Sequence, residues 1–429
     1  MNRPLPALLS ERLTDDEAGV TSVCTAYPLV IEAALLHGIR TGRRVLIEAT
    51  CNQVNQEGGY TGMTPADFRR FVETIAHRVG FDPARIVLGG DHLGPNPWKH
   101  HSAEEAMERA KVMIDAYARA GFAKLHLDTS MGCVGETAVL ADDVIAERAV
   151  SLAAVAEAAV AEGPGPVYII GTEVPVPGGA SHALESIAVT RPEAVLRTVE
   201  VHRQAFKAAG LEKAFARVIG VVVQPGVEFS STDVVTYRPE KARELRASLG
   251  NMPGFVFEAH STDYQPAKSL AALVRDGFAI LKVGPWLTFA AREALYGLDS
   301  IAQVLNPAPS NESLVAAMEA LMLREPEHWR KYYSGSANEL RLQRHFSFSD
   351  RIRYYWPHPE AQAAVTRLFA RIGERLIPEP LVSQYLGALH PAVADGSLEA
   401  RPRQLTIAAV DRVLTLYDQA CLRSRAPQE

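Results

Sequence analysis

Short β-branched apolar runs recur along the chain, each followed by an alanine-rich stretch in which apolar residues return every three or four positions. This alternation is the pattern of parallel βα units. Eight runs predict strands: Gly19–Cys24, Val45–Ala49, Ile86–Asp91, Lys124–Thr129, Val167–Glu173, Val218–Gln224, Phe255–His260 and Ala279–Gly284. Helical patterns such as Ala103–Ala120 and Asp142–Glu162 fill the gaps. Eight strands with helical crossovers predict a closed (β/α)8 TIM barrel over residues 1–305. An open doubly wound sheet is the second choice, because no strand end carries a dinucleotide-type GxGxxG. From about residue 300 the text becomes helical, and a C-terminal helical extension is expected over 306–429, with a boundary near Pro307–Pro309 and a last helix over Ile407–Cys421.

The polar residues then acquire a meaning, since a barrel of this kind works at the C-terminal ends of its strands. Glu48, Asn52, Gln53 and Asn55 follow strand two, and Asp91 and His92 end strand three. His126 and Asp128 lie on strand four, Glu173 closes strand five, and Gln224 and Glu228 follow strand six. Glu258 and His260 end strand seven, and strand eight carries Lys282. Unpaired, such groups would cost several kcal/mol each on burial, so they are expected to meet one another, a metal or a ligand.

Within GGDHLGPN (Gly89–Asn96) two glycines allow close backbone approach and Gly94-Pro95 predicts a turn. Strand alternation puts Asp91 and His92 on opposite sides, one to serve as acid/base and the other as metal ligand. His92, Glu228 and His260 form the candidate metal set, two imidazoles and a carboxylate suited to Zn²⁺ or a similar divalent ion acting as Lewis acid. Asp91 and Glu173 are the candidate catalytic carboxylates, Glu173 with a role as fourth ligand left open. His126 shares a face with Asp128, and a barrel-interior histidine is an equal reading. The loop Glu57–Gly62 has glycines that could cradle a phosphate but lacks the lysine and spacing of a P-loop, so an ordinary loop is the equal alternative. In Tyr332–Trp356, Arg351 and Arg353 alternate. They suit either bidentate phosphate binding or a surface ion-pair network.

With 44 basic and 50 acidic side chains and a formal charge of −6, the chain offers no nucleic-acid stripe and no polybasic membrane patch. The opening MNRPLPALLSERLTDDE has no secretory apolar run, and no later stretch reaches the ~18 apolar residues of a membrane span, so a cytoplasmic protein is expected. Cys24, Cys51, Cys133 and Cys421 are scattered without a CxxC pair and should remain reduced.

Seven segments carry a resemblance: TSVCTAYPLVIEAAL, IEATCNQVNQEGGYTGMTP, GGDHLGPNPW, KLHLDTSM, GTEVPVPGGA, FEAHSTDYQ and SDRIRYYW. Together they resemble the family of the non-catalytic Z subunit of class II tagatose-1,6-bisphosphate aldolase, over nearly the whole chain. That family has also been labelled tagatose-6-phosphate kinase, and some members are regarded as D-tagatose 6-phosphate 4-epimerases. The resemblance extends distantly to the catalytic class II aldolases. It implies that Asp91 and His92 correspond to their acid/base and zinc ligand and His260 to a second ligand, while Glu228 replaces a histidine and favours a harder ion such as manganese. Those aldolases hold the 1-phosphate in a Gly/Ser-rich loop after the seventh-strand histidine, where this chain reads His260-Ser261-Thr262-Asp263. Asp263 would repel a phosphate and could bind a free hydroxyl.

The expected ligands are thus a divalent metal and a small phosphorylated ketose, read by Asn52, Gln53, Asn55, His126, Asp128, Gln224, Asp263, Lys282, Arg351 and Arg353. A kinase is disfavoured by the missing ATP-cradling motif. Epimerisation of tagatose 6-phosphate is preferred, with a stabilising aldolase subunit as the alternative. The expected protein partners are copies of the chain or a catalytic aldolase subunit.

Overall fold

The computed structural model describes Glu11 and residues 18–137, 139–160, 163–172 and 187–422. Eight parallel strands close into a barrel: β1 Val20–Cys24, β2 Val45–Thr50, β3 Ile86–Leu93, β4 Lys124–Leu127, β5 Val167–Ile170, β6 Val218–Val222, β7 Val256–Ala259 and β8 Ile280–Val283. Each strand pairs with its sequence neighbours, and β1 pairs with β8 in the register Val20 to Ile280, so the barrel has no open edge. The main helices between and after them are α1 Pro28–Thr41, α2 Pro65–Val79, α3 Ala103–Arg119, α4 Asp142–Ala159, α5 Pro192–Ala208, α6 Arg243–Ser248, α7 Ala267–Arg275 and α8 Pro285–Leu305. Proline in the first turn starts several of them where its missing N–H costs nothing, and at α2 a Thr64–Asp67 capping box adds a reciprocal pair of hydrogen bonds.

The period-two alternation of each strand divides the core. Inside the barrel, Val20, Leu46, Val87, Val167, Ile169, Ile219, Val256 and Ile280 form an apolar layer toward the N-terminal end. Two residues further along several strands the same inward face carries Glu48, Glu258 and Lys282. Gly89 lies opposite Glu48 in the β2–β3 register, and a Cβ there would come within 2.7 Å of the Glu48 carboxylate. Glycine makes the room that this buried acid needs.

Beyond α8 the chain is helical, as expected. The C-terminal helix Pro402–Cys421 is longer than the predicted span and packs against α1, α7 and α8, so it belongs to the helix ring around the barrel. The segment Arg351–Tyr355 is a short 3-10 turn, entered through Asp350 at φ 44°. Asp350 is held by Thr288 at 2.6 Å and by Arg292 at 3.1 Å, both from α8, and this fixes the turn near the C-terminal mouth of the barrel. Among the described residues no helix is long and apolar enough to cross a membrane, and all four cysteines are free.

Candidate active site

A pocket opens at the strand ends, lined by Cys24, Thr50, Asp91, His92, His260, Asp263 and Lys282 from the barrel. Asn52, Gln53 and Tyr60 from the β2 loop, Phe229 and Ser261, and Arg353 and Tyr354 from the 3-10 turn complete it. Beneath it runs a buried ladder of alternating charge. Lys124, with no solvent exposure, sits 2.7 Å from Glu48 and 2.8 Å from Glu258. Glu48 also pairs with Lys282, and Lys282 Nζ reaches Asp91 Oδ2 at 2.9 Å. Each charge therefore has an opposite neighbour, the condition for keeping ions in a low-dielectric interior. Burial disfavours a charged Lys282, but Asp91 and Glu48 outweigh it and hold the ammonium well above its ordinary pKa. Burial likewise opposes ionisation of Asp91, yet His92 and Lys282 bring its carboxyl well below the usual range.

Three imidazoles meet beside this ladder, with ring centroids 4.9 Å apart for His92 and His260, 5.2 Å for His92 and His126, and 5.3 Å for His126 and His260. His92 Nδ1 lies 2.8 Å from Asp128, and His126 Nδ1 lies 2.9 Å from Asp91 and accepts the His92 backbone N–H at 3.2 Å, contacts that fix the orientation of both rings. His260 Nε2 lies 2.9 Å from Glu258. Burial takes the imidazole of His260 down to about 4, so it is neutral at pH 7, as a ligand must be. Atoms of Asp91, His126, Glu258 and His260 all lie within 4.8 Å of one another, a buried group able to hold a metal ion. Of the expected ligands only His260 is in that group, with His92 adjoining it. Glu228 is not in that group: it lies on a two-stranded ribbon, Glu228–Phe229 with Val234–Val235, where its carboxylate accepts the Phe229 N–H at 3.0 Å and hydrogen-bonds the pocket residue Ser261, and burial raises its pKa to about 7. Glu258, two residues before His260 on the inward face of β7, and Asp91 are the two carboxylates of the group.

The expectation that Asp91 and His92 point to opposite sides does not hold. His92 has φ 49°, and the β3–β4 register shifts between Gly90 and Leu93. The irregularity cancels the alternation, so both side chains line the pocket.

Asp263 has a defined place. Its Oδ1 accepts the N–H of Gly284 at 3.1 Å and of Trp286 at 2.8 Å, capping the N-terminus of α8. Burial raises its carboxyl to about 6. The helix end after the last strands is where barrels commonly bind phosphate, and here a carboxylate uses its donors.

The remaining predicted residues divide. Asn52, Gln53, Lys282 and Arg353 line the pocket, whereas His126 and Asp128 are buried behind it. Asn55 spends its amide oxygen on the N–H groups of Glu57 and Gly59, and Gln224 does the same for Gly226 and Val227, so both brace loops. The glycine-rich loop does not cradle phosphate: the backbone N–H groups of residues 57–61 are all taken by Asn52, Gln53 and Asn55. It contributes Tyr60 instead. Arg351 lies with its guanidinium carbon 3.3 Å from the Tyr332 ring centroid and donates to the His328 carbonyl, away from the pocket lining. Glu173 lies outside the described residues. Sequence reasoning assigned no role to Lys124, Tyr60 or Tyr354. The alternation Lys124, His126, Asp128 was a signal for the first, while the two tyrosines reach the pocket from loops with no periodic pattern.

Residues 5–422 match the family described as D-tagatose-1,6-bisphosphate aldolase subunit GatZ/KbaZ-like. The chain belongs to this family. It is 53% identical over 98% of its length to a protein of Agrobacterium fabrum named D-tagatose 6-phosphate 4-epimerase, 99% of which is covered. It is 47% identical over 97% of its length to a Shigella flexneri protein named D-tagatose-1,6-bisphosphate aldolase subunit GatZ, covered in full. A solved structure from Sinorhizobium meliloti, described as a probable tagatose 6 phosphate kinase, superposes with a TM-score of 0.88 at 58% identity, over 94% of this chain and 100% of that one.

Proposed function

We propose that this family member is a cytoplasmic D-tagatose 6-phosphate 4-epimerase that interconverts D-tagatose 6-phosphate and D-fructose 6-phosphate with a divalent cation at the pocket floor. The observation that carries the reading is Asp263 on the N-terminus of α8. A fixed carboxylate there disfavours a sugar phosphorylated at C1 and accepts a hydrogen bond from a free C1 hydroxyl. The Agrobacterium relative's name agrees with this.

The residues present fit a cation. His126 Nε2 is buried with no hydrogen-bond partner among the described residues. Glu48, Asp91, Asp128 and Glu258 set four carboxylates against Lys124 and Lys282, which leaves two negative charges when the imidazoles are neutral. His126, His260, Glu258 and the adjoining His92 would hold the ion. This mixed nitrogen and oxygen set suits zinc and also manganese. A cation so held would act as a Lewis acid toward the C2 carbonyl of the ketose.

Asp91, fixed by Lys282 and His126, is an ionised acceptor for the O4 proton. Loss of that proton opens the C3–C4 bond to an enediolate and glyceraldehyde 3-phosphate. Rotation of the aldehyde before the bond re-forms inverts C4. Arg353, a guanidinium at the pocket wall, suits the 6-phosphate, and Asn52 and Gln53 suit sugar hydroxyls. Direct deprotonation at C4 has no support, since C4 is not adjacent to the carbonyl. The reading is tested by running fructose 6-phosphate to tagatose 6-phosphate in D2O. Retro-aldol chemistry leaves C4 free of deuterium by NMR, and deuterium at C4 would rule it out.

The family description and the Shigella relative favour a second reading, a subunit that stabilises a separate catalytic aldolase chain. Either a second copy or such a chain is then the protein partner.

A further inference from the structure

Epimerisation by bond cleavage sets a geometric demand beyond a single base. When the aldehyde turns over, its oxygen leaves the position where it lost a proton and arrives on the other side of the C3–C4 axis. One carboxylate fixed in the barrel wall cannot serve both positions. A second proton-carrying group elsewhere on the pocket wall meets this demand.

Tyr354 has that placement. It lines the same pocket as Asp91 and Lys282 but comes from the 3-10 turn Arg351–Tyr355 rather than from a strand. Its ring is clamped, stacked on His328 at 5.1 Å and meeting Tyr60 edge-on at 5.0 Å. The guanidinium carbons of Arg353 and Arg351 lie 4.5 Å and 4.9 Å from the ring centroid. The hydroxyl oxygen accepts from Arg353 Nη2 at 3.0 Å.

We propose that Tyr354 is the second acid/base of the reaction, delivering or removing the O4 proton in the position opposite Asp91. This rests on the epimerase reading. In one direction Asp91 takes the O4 proton, the C3–C4 electron pair moves into the C2 carbonyl to form the enediolate, and O4 becomes the aldehyde oxygen. After rotation, C3 of the enediolate attacks the other face of the aldehyde, the C2 carbonyl is restored, and the new O4 alkoxide takes the Tyr354 proton. Asp91 then holds the proton that Tyr354 lacks, and water carries it back. The reverse reaction exchanges the two roles. The electrostatics are consistent with a phenol that exchanges protons: burial opposes ionisation, but Arg353 and Arg351 overcome it and hold the hydroxyl below its ordinary value. The other titratable groups facing it are Tyr60, His328 and Cys24.

The test compares wild type, Tyr354→Phe and a protein with 3-fluorotyrosine at position 354, on fructose 6-phosphate across pH with bound metal measured. Tyr354→Phe should lose about 10²-fold or more in kcat, as for an acid/base, with KM within about threefold and metal content unchanged. The alkaline limb of the wild-type profile should be absent from its residual activity. The fluorinated phenol, nearly the same in shape but more acidic, should move that limb to lower pH. A Tyr354→Phe protein with wild-type rate and limb, or a fluorotyrosine protein whose limb stays in place, overturns the proposal. A wild-type chain with no epimerase activity instead removes the reading on which it stands.

Discussion

The carboxylate of Asp263 accepts the backbone N–H of Trp286 at 2.8 Å, so the N-terminus of α8 already carries a fixed negative group. A bisphosphate would have to bring a dianion against it in a partly desolvated pocket. Wild type should therefore bind fructose 1,6-bisphosphate more weakly than fructose 6-phosphate. Asp263→Asn keeps an acceptor for both backbone donors and should tighten the bisphosphate by about tenfold, or ~1.4 kcal/mol, by titration calorimetry. Tighter binding of the bisphosphate to wild type would move the aldolase-subunit reading ahead.

The same residue gives a pH signature in stability. Burial raises its carboxyl to about 6, above the value of an unfolded aspartate, so the native state binds more protons between pH ~4 and ~6. Its contribution is favourable below that window and is lost as pH rises through it. Asp263→Asn removes the dependence and should gain on wild type by on the order of 2 kcal/mol between pH 4 and pH 8 in urea unfolding. A difference that does not change with pH would show that the carboxyl is not raised.

Metal retention should separate ligands from the base. His126→Ala and His260→Ala each remove an imidazole from the cluster, and both should lose bound metal and turnover, as should His92→Ala. Asp91→Asn should keep the metal and lose about 10²- to 10⁴-fold in rate. Elemental analysis of the purified variants decides it, and an empty Asp91→Asn protein would make Asp91 a ligand.

The two arginines of the 3-10 turn should behave differently. Arg353→Ala should raise KM for fructose 6-phosphate far more than for free fructose, because only the phosphorylated sugar loses a contact to the guanidinium, while loss of the hydrogen bonds to Tyr354 and to the Asp350 carbonyl affects both sugars alike. Arg351, stacked on Tyr332, should leave that ratio unchanged on replacement by alanine and lower the melting temperature, at a cost of about 1–2 kcal/mol. Equal losses on both sugars in Arg353→Ala would place that guanidinium in structure rather than recognition.

How far the sequence was legible follows from the range of each interaction. The barrel was readable because its evidence is local, a period of two giving way to a period near 3.6, and the strand-end position of Asp91, His260 and Lys282 followed from it. The alternation that put His126 and Asp128 on one face followed from the same local evidence. The side to which His92 points was not readable, because a single residue at φ 49° reverses the rule of alternation. The place of Glu258 beside His126 was not readable either, because only three-dimensional closure of the barrel brings β7 to β4. Arg351 and Arg353 are neighbours of identical chemistry. That Arg353 lines the pocket and Arg351 does not arises from Tyr332 and His328, which meet Arg351 through tertiary packing alone.

The central claim is that this single chain performs the epimerisation. It is tested most directly by incubating the purified protein alone with fructose 6-phosphate, with and without a chelator, and following tagatose 6-phosphate by chromatography. The account predicts steady formation of tagatose 6-phosphate, abolished by the chelator and restored by added divalent metal. No product from the folded, metal-loaded chain, together with activity of a separate catalytic aldolase that rises when this chain is added, would contradict it.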